Sequence, residues 1–156
     1  MSEMILRPAH PNEAATLSAI AQRAKRHWGY PEAWLTAWHS ALTITPAHIA
    51  EHTVLVVDIA RQACGFAVLM DARTHWSLEH LWVEPTHHGR GIGRTLFEAV
   101  VQHARQRRPG RLRIESDPFA VGFYERCGAH QVGMVALPVL GESRELPVLD
   151  YPITAT

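Results

Sequence analysis

The segment Val83-Glu84-Pro85-Thr86-His87-His88-Gly89-Arg90-Gly91-Ile92-Gly93-Arg94-Thr95 has residue types and spacing that point to chemistry. A strand-like run ends, glycines follow at alternate positions, and an amphipathic helical pattern begins. Alternate glycines let successive backbone N–H groups point one way without Cβ obstruction. A helix start adds unpaired N–H groups and the positive end of its dipole. Together they form an anion cradle suited to a diphosphate, with Arg90 and Arg94 placed to add charge-assisted bonds. The dinucleotide fingerprint G-x-G-x-x-G fails on spacing, and the phosphate loop G-x-x-x-x-G-K-[ST] fails because no Lys-Ser or Lys-Thr pair lies near. A tight strand-to-helix turn is the plainer reading, but the flanking arginines exceed what a turn needs.

The surrounding pattern supplies elements to position this loop. Met4 to Arg7 reads as a strand closed by Pro8, and Pro11 opens a helix with Ala14, Leu17, Ile20, Ala21 and Ala24 at helical spacing. Trp28-Gly29-Tyr30-Pro31 breaks that helix; the next carries Trp34, Ala37, Trp38, Ala41 and Leu42 on one face, and Thr45-Pro46 caps a short third. Thr53 to Ile59, Ala63 to Met70 and Trp76 to Val83 read as strands. In the last, alternation puts Trp76, Leu78, His80 and Trp82 on one face and Ser77, Glu79, Leu81 and Val83 on the other. A helix from Arg94 to Arg107 buries Leu96, Phe97, Val100, Val101 and Ala104. Leu112 to Ser116 is a strand, Pro118 to Cys127 a short helix, and Gln131 to Leu137 with Glu145 to Tyr151 a closing antiparallel pair. The fold class is α+β, a mixed α/β/α sandwich, in one domain spanning residues 1–156.

Two motifs resemble those of the GCN5-related N-acetyltransferase (GNAT) superfamily. His88-Gly89-Arg90-Gly91-Ile92-Gly93 is similar to its [RQ]-x-x-G-x-[GA] loop, with histidine where arginine or glutamine is usual. Asp117-Pro118-Phe119-Ala120-Val121-Gly122-Phe123-Tyr124-Glu125-Arg126-Cys127-Gly128 resembles its second motif, D-P-x-A-x-x-F-Y-x-x-x-G. The resemblance implies a mostly antiparallel sheet whose two central parallel strands splay apart to admit the pantetheine arm of acetyl-CoA. Leu81, Trp82 and Val83 would pair with that arm, and the backbone from His88 through Gly89, Arg90, Gly91, Ile92, Gly93 and Arg94 to Thr95 would hold the diphosphate.

It also implies acetyl transfer to an amine, either a small molecule or a protein amine. An alkyl ammonium has a pKa of about 10, so a base must remove its proton. Glu79 is the candidate base or acceptor anchor, a carboxylate expected on the same strand face as Leu81 and Val83. His80 falls on the opposite face, as a satisfied core histidine. Tyr124 matches the tyrosine that in many family members protonates the coenzyme thiolate. Trp28, Tyr30, Trp34 and Trp38 either wall the acceptor pocket, holding a cationic amine by cation–π attraction, or pack as core. Neither Cys64 nor Cys127 sits in a nucleophile setting, so direct transfer in a ternary complex is expected over an acetyl-enzyme.

Other classes are weaker. His48-Ile49-Ala50-Glu51-His52 matches the inverted zinc-protease pattern H-x-x-E-H, but the helix is short and chance matches are common among 11 histidines. A zinc hydrolase is therefore a remote alternative, and no metal is expected. A non-catalytic acyl-CoA sensor is the nearer alternative, but it would lack groups such as Glu79 and Tyr124. Fifteen basic and fifteen acidic residues cancel, which argues against nucleic-acid or membrane partners. Two free thiols and no visible signal peptide suggest a reducing cytoplasm. The edge of the last strand pair offers a surface for a homodimer.

Overall fold

β-branched and apolar runs form seven strands in the computed structural model, which describes residues 3–155. Met1, Ser2 and Thr156 lie outside those residues, so part of the N-terminal stretch read for a signal peptide is not described. The strands are β1 (Met4–Pro8), β2 (Thr53–Ile59), β3 (Gln62–Asp71), β4 (Trp76–Val83), β5 (Gly110–Glu115), β6 (His130–Ala136) and β7 (Glu145–Ile153). They join in one sheet of order β1-β2-β3-β4-β5-β7-β6. All neighbours are antiparallel except β4 and β5. That parallel pair is matched only at Trp76 with Leu112 and Ser77 with Arg113, so the two strands part beyond Ser77 and Arg113.

Helices α1 (Ala14–His27), α2 (Glu32–Ala37), α3 (Pro46–Glu51), α4 (Ile92–Arg107) and α5 (Val121–Arg126) cover the sheet. On one face, Leu96, Phe97, Val100, Val101 and Ala104 of α4 pack on β3, β4, β5 and β7. On the other, Leu17, Ile20 and Ala21 of α1 meet Val54, Val56, Phe66 and Val68. The second predicted helix stops early. Its apolar face was expected to run to Leu42, yet α2 ends at Ala37 and the chain continues in turns. There the Trp38 ring lies against Lys25 and Arg144, a tertiary contact that outweighs weak local helix preference.

The expected alternation of β4 is corrected by a bulge. Val68 pairs with His80 and Leu69 with Leu78, so Glu79 is an extra residue in β4. Each residue after it changes face. Trp76, Leu78, Leu81 and Val83 all face the α4 layer, while Trp82 faces the α1 layer. Glu79 and His80 line a small recess with His48 and His52. Glu79 therefore does not share a face with Leu81 and Val83, and His80 does not share one with Trp76 and Leu78.

Candidate functional site

The parting of β4 from β5 leaves a cleft of about 410 Å³ whose walls come from three regions. Leu81, Trp82 and Val83 supply the strand side; His87, His88, Gly89, Gly91, Ile92, Gly93 and Arg94 the loop and helix start; Phe119, Ala120, Phe123, Tyr124 and Arg126 the opposite wall. Trp28, at the end of α1, stacks on Phe119 at 5.8 Å and closes one end.

Strand β4 presents bare backbone to this cleft. The Glu84 N–H donates to Cys64 O at 2.7 Å, toward β3. Alternate residues of an antiparallel ladder share that direction, so Trp82 and His80 also aim at β3. Leu81 and Val83 then aim their N–H and C=O groups into the gap toward β5. The His88 imidazole Nε2 lies 3.1 Å from Val83 O.

The glycines divide the work. Gly89 and Gly91 both have φ of +80°, the left-handed region that a Cβ disfavours. Gly91 is the N-cap of α4 and brings no side chain to cap it. Thr95 N–H is taken by Gly91 O at 3.0 Å, so the N–H groups of Ile92, Gly93 and Arg94 are the orphans of the first turn. Gly93 has a different duty: a Cβ there would lie 3.1 Å from the Phe123 ring, so its absence lets α5 close against α4. Arg90 is exposed on the loop, and neither it nor Thr95 lines the cleft.

Tyr124 lies in the opposite wall, packed by Phe97 and Phe123. Burial pushes its phenol well above the ordinary range, so it stays protonated. Its hydroxyl has no hydrogen-bond partner among the described residues, and the buried side chain borders the cleft, which the protonated phenol lines.

Glu79 stands outside the cleft lining and accepts a 2.6 Å bond from Ser77 Oγ. His80 is half-buried, and desolvation of its ring lowers its pKa to about 4 and keeps it neutral. Its Nδ1 accepts from Trp82 Nε1 at 3.0 Å, so the neutral ring carries its proton on Nε2 and has no free lone pair. His80 is thus a half-buried histidine bonded through Nδ1 and turned to the other face, not the core histidine its pattern suggested.

The aromatic wall is filled from within. Lys25 Nζ lies 4.2 Å from the Trp38 ring centre, 5.1 Å from Tyr30 and 5.8 Å from Trp28 and from Trp82. The Arg144 guanidinium stacks on Trp38 at 4.8 Å and Tyr30 at 5.3 Å. The cation–π positions expected for an incoming amine hold these side chains instead. Trp34 stacks on Tyr30 and donates to Glu142, and neither Trp34 nor Tyr30 lines the cleft. Asp117 caps the turn before α5, accepting from Phe119 N at 2.9 Å, and also holds Lys25, Arg144 and Tyr30.

Sequence reasoning missed Lys25, Arg144, Phe119 and Phe123. Lys25 was detectable, because it lies four residues past Ala21 on the stripe that predicted the buried face of α1. The H-x-x-E-H pattern does not build a helical site: α3 ends at Glu51, and His52 is extended. No group of three or more metal-ligating side chains occurs among the described residues.

Comparison with known proteins agrees with this architecture. The model of the acetyltransferase (GNAT) domain matches residues 14–135. A GCN5-related N-acetyltransferase from Rhodopseudomonas palustris superposes with a TM-score of 0.81 and 26% identity, covering 97% of each chain. A Salmonella typhimurium acetyltransferase structure containing acetyl-CoA gives 0.70 and 20%, covering 99% of this chain and 96% of that one. A Thermoplasma acidophilum N-acetyltransferase in complex with coenzyme A gives 0.72 and 15%, covering 96% and 99%. Glucosamine 6-phosphate N-acetyltransferase 1 of Oryza sativa subsp. japonica is 33% identical over 88 residues, 51% of this chain and 53% of that protein. The match thus spans about half the length of that curated relative. The chain belongs to the GNAT acetyltransferase family.

Proposed function

We propose that this chain is an acetyl-CoA-dependent N-acetyltransferase that passes acetyl directly to an amine in a ternary complex. The observation that carries the reading is convergence on one cleft of an uncapped α4 N-terminus, β4 backbone turned away from β3 at Leu81, and the partnerless Tyr124 phenol. These residues fit coenzyme A. The free N–H groups of Ile92, Gly93 and Arg94 suit the diphosphate, and Leu81 and Val83 offer strand-type pairing to an amide-bearing arm.

When bound, acetyl-CoA supplies an electrophilic thioester carbonyl with a thiolate leaving group. The Leu81 N–H, aimed into the gap, is placed to donate to the carbonyl oxygen. Glu79 takes the proton of the acceptor ammonium through water, since the bulge turns it from the cleft face. The amine nitrogen then bonds to carbon, the carbon–sulfur bond breaks, and Tyr124 gives its proton to sulfur. Burial raises the pKa of Cys64 and of Cys127, the reverse of what a nucleophilic thiol needs, which favours direct transfer.

The test is coenzyme A release from acetyl-CoA over a panel of amines, with Tyr124→Phe alongside. The variant is expected to lose about 10²- to 10⁴-fold in kcat while binding acetyl-CoA as wild type does. Wild-type turnover in Tyr124→Phe would remove the acid assignment. Tight acetyl-CoA binding with no transfer to any amine would make the chain a sensor instead.

A further inference from the structure

Asp117 is buried among more positive charge than it can neutralise. Its Oδ2 accepts from Lys25 Nζ at 2.7 Å and from Arg144 Nη2 at 3.0 Å. Lys25 and Arg144 side chains are each 10% exposed and Asp117 7%. Burial pulls the Lys25 pKa below its ordinary value while the bond to Asp117 opposes that shift and favours the ammonium, and a guanidinium is always charged. The remaining polar member, Tyr30, gives its hydroxyl to Asp117 and accepts from Arg144 at 2.9 Å. Burial lifts the Tyr30 pKa to about 12, so it brings no negative charge. The cluster holds one positive charge in excess inside an aromatic enclosure, where an unbalanced charge is costly.

Placement and geometry say what would balance it. Tyr30 meets Phe119 edge-on at 5.7 Å, and Phe119 lines the cleft, so the cluster lies just behind the cleft wall. The bonds that Arg144 makes to described residues both leave from Nη2. Its Nε and Nη1 have no protein acceptor there and are not sealed from solvent. Both two-pronged edges of a guanidinium include Nη2, whose hydrogens go to Tyr30 and Asp117, so the free Nε and Nη1 N–H groups meet a carboxylate or phosphate oxygen by single charge-assisted bonds. The other carboxylate of this connection, Glu142, is drawn away to Trp34 Nε1 at 3.1 Å on the exposed rim.

We propose that the amine acceptor also carries an anionic group, a carboxylate or phosphate monoester, which docks on the free Nε and Nη1 N–H groups of Arg144 with Lys25 adding its field. This rests on the acetyl-transfer reading. The same cations repel an ammonium, so the acceptor enters with its anion toward Arg144 and its amine toward the thioester.

The first arm of the test needs no turnover. Tryptophan fluorescence of the protein saturated with coenzyme A is titrated with inorganic phosphate and, separately, with acetate, so that the diphosphate cradle is already filled. A saturable response is expected, weakened about tenfold or more in Arg144→Gln and partly restored in Arg144→Lys, with thermal melts confirming folded variants. Whichever anion binds more tightly identifies the preferred group. Wild-type protein with no saturable response, or a response indifferent to Arg144→Gln, overturns the proposal.

The second arm compares ethanolamine, β-alanine and O-phosphoethanolamine as acceptors. An anionic member is expected to exceed ethanolamine about tenfold or more in kcat/KM, and Arg144→Gln to shrink that ratio. Equal or better use of ethanolamine overturns the inference while leaving acetyl transfer standing. A clear anion response with no transfer to any amine leaves the anion site and sinks the transfer reading.

Discussion

Glu79 owes its position to one extra residue in β4, and its role is best tested through the acceptor's protonation. If it removes the amine proton, Glu79→Gln can use only amine that is already neutral. Its rate is expected to climb about tenfold per pH unit below the amine pKa, with the deficit against wild type closing at alkaline pH. A constant deficit across pH would show that Glu79 positions the acceptor without taking its proton. His80 gives an independent reading of the same bulge. Its pKa is about 4 in the fold against an ordinary 6.5, so the unfolded chain takes up that proton first. Stability is therefore undiminished above pH 6.5 and falls as pH drops toward 4, by about 3 kcal/mol in all. His80→Asn, which keeps an acceptor for Trp82, is expected to flatten that dependence in urea titrations. An unchanged slope in the variant would contradict the assignment.

How much of this was legible follows from the kind of signal each residue left. Tyr124 and the alternate glycines sit in local patterns, and the structure places them in the cleft. Glu79 was legible as an unusual carboxylate, but a bulge has no mark in the sequence, and one inserted residue reverses every face assignment beyond it. Trp28, Tyr30 and Trp38 were legible as a cluster, but not the cations that fill it. Arg144 reaches them across 114 residues of sequence from Tyr30, a distance no local pattern spans.

Helix α4 is the element on which the cleft depends. Its boundary, buried stripe and arginine-rich end follow from sequence, whereas the distinct duties of its glycines follow from packing. Gly91→Ala forces a Cβ into the left-handed region, and a loss of about 1–2 kcal/mol is expected by urea denaturation. Gly93→Val drives side-chain carbon into the Phe123 ring, and a loss of about 1–3 kcal/mol is expected, together with weaker coenzyme A binding as the α5 wall shifts. Neutral behaviour of Gly93→Val would show that α5 is not held where this cleft needs it.

At the scale of the molecule, the order of strands and helices was sufficient to predict a mixed α+β sandwich and the loop before α4, but not the order of strands in the sheet. The parting of β4 from β5 came from family resemblance alone, because hydrogen bonds that fail to form leave no trace in composition or periodicity. That gap, with an uncapped helix start at its mouth, is the feature on which acetyl transfer rests. Calorimetric titration with coenzyme A, and in parallel with pantetheine, which lacks the diphosphate and the adenosine 3′-phosphate beyond it, tests it most directly. The structure predicts saturable one-to-one binding of coenzyme A, with pantetheine weaker by about a hundredfold or more, the worth of a pair of charge-assisted bonds. No uptake of coenzyme A at millimolar concentration, or equal affinity for the two compounds, would contradict it.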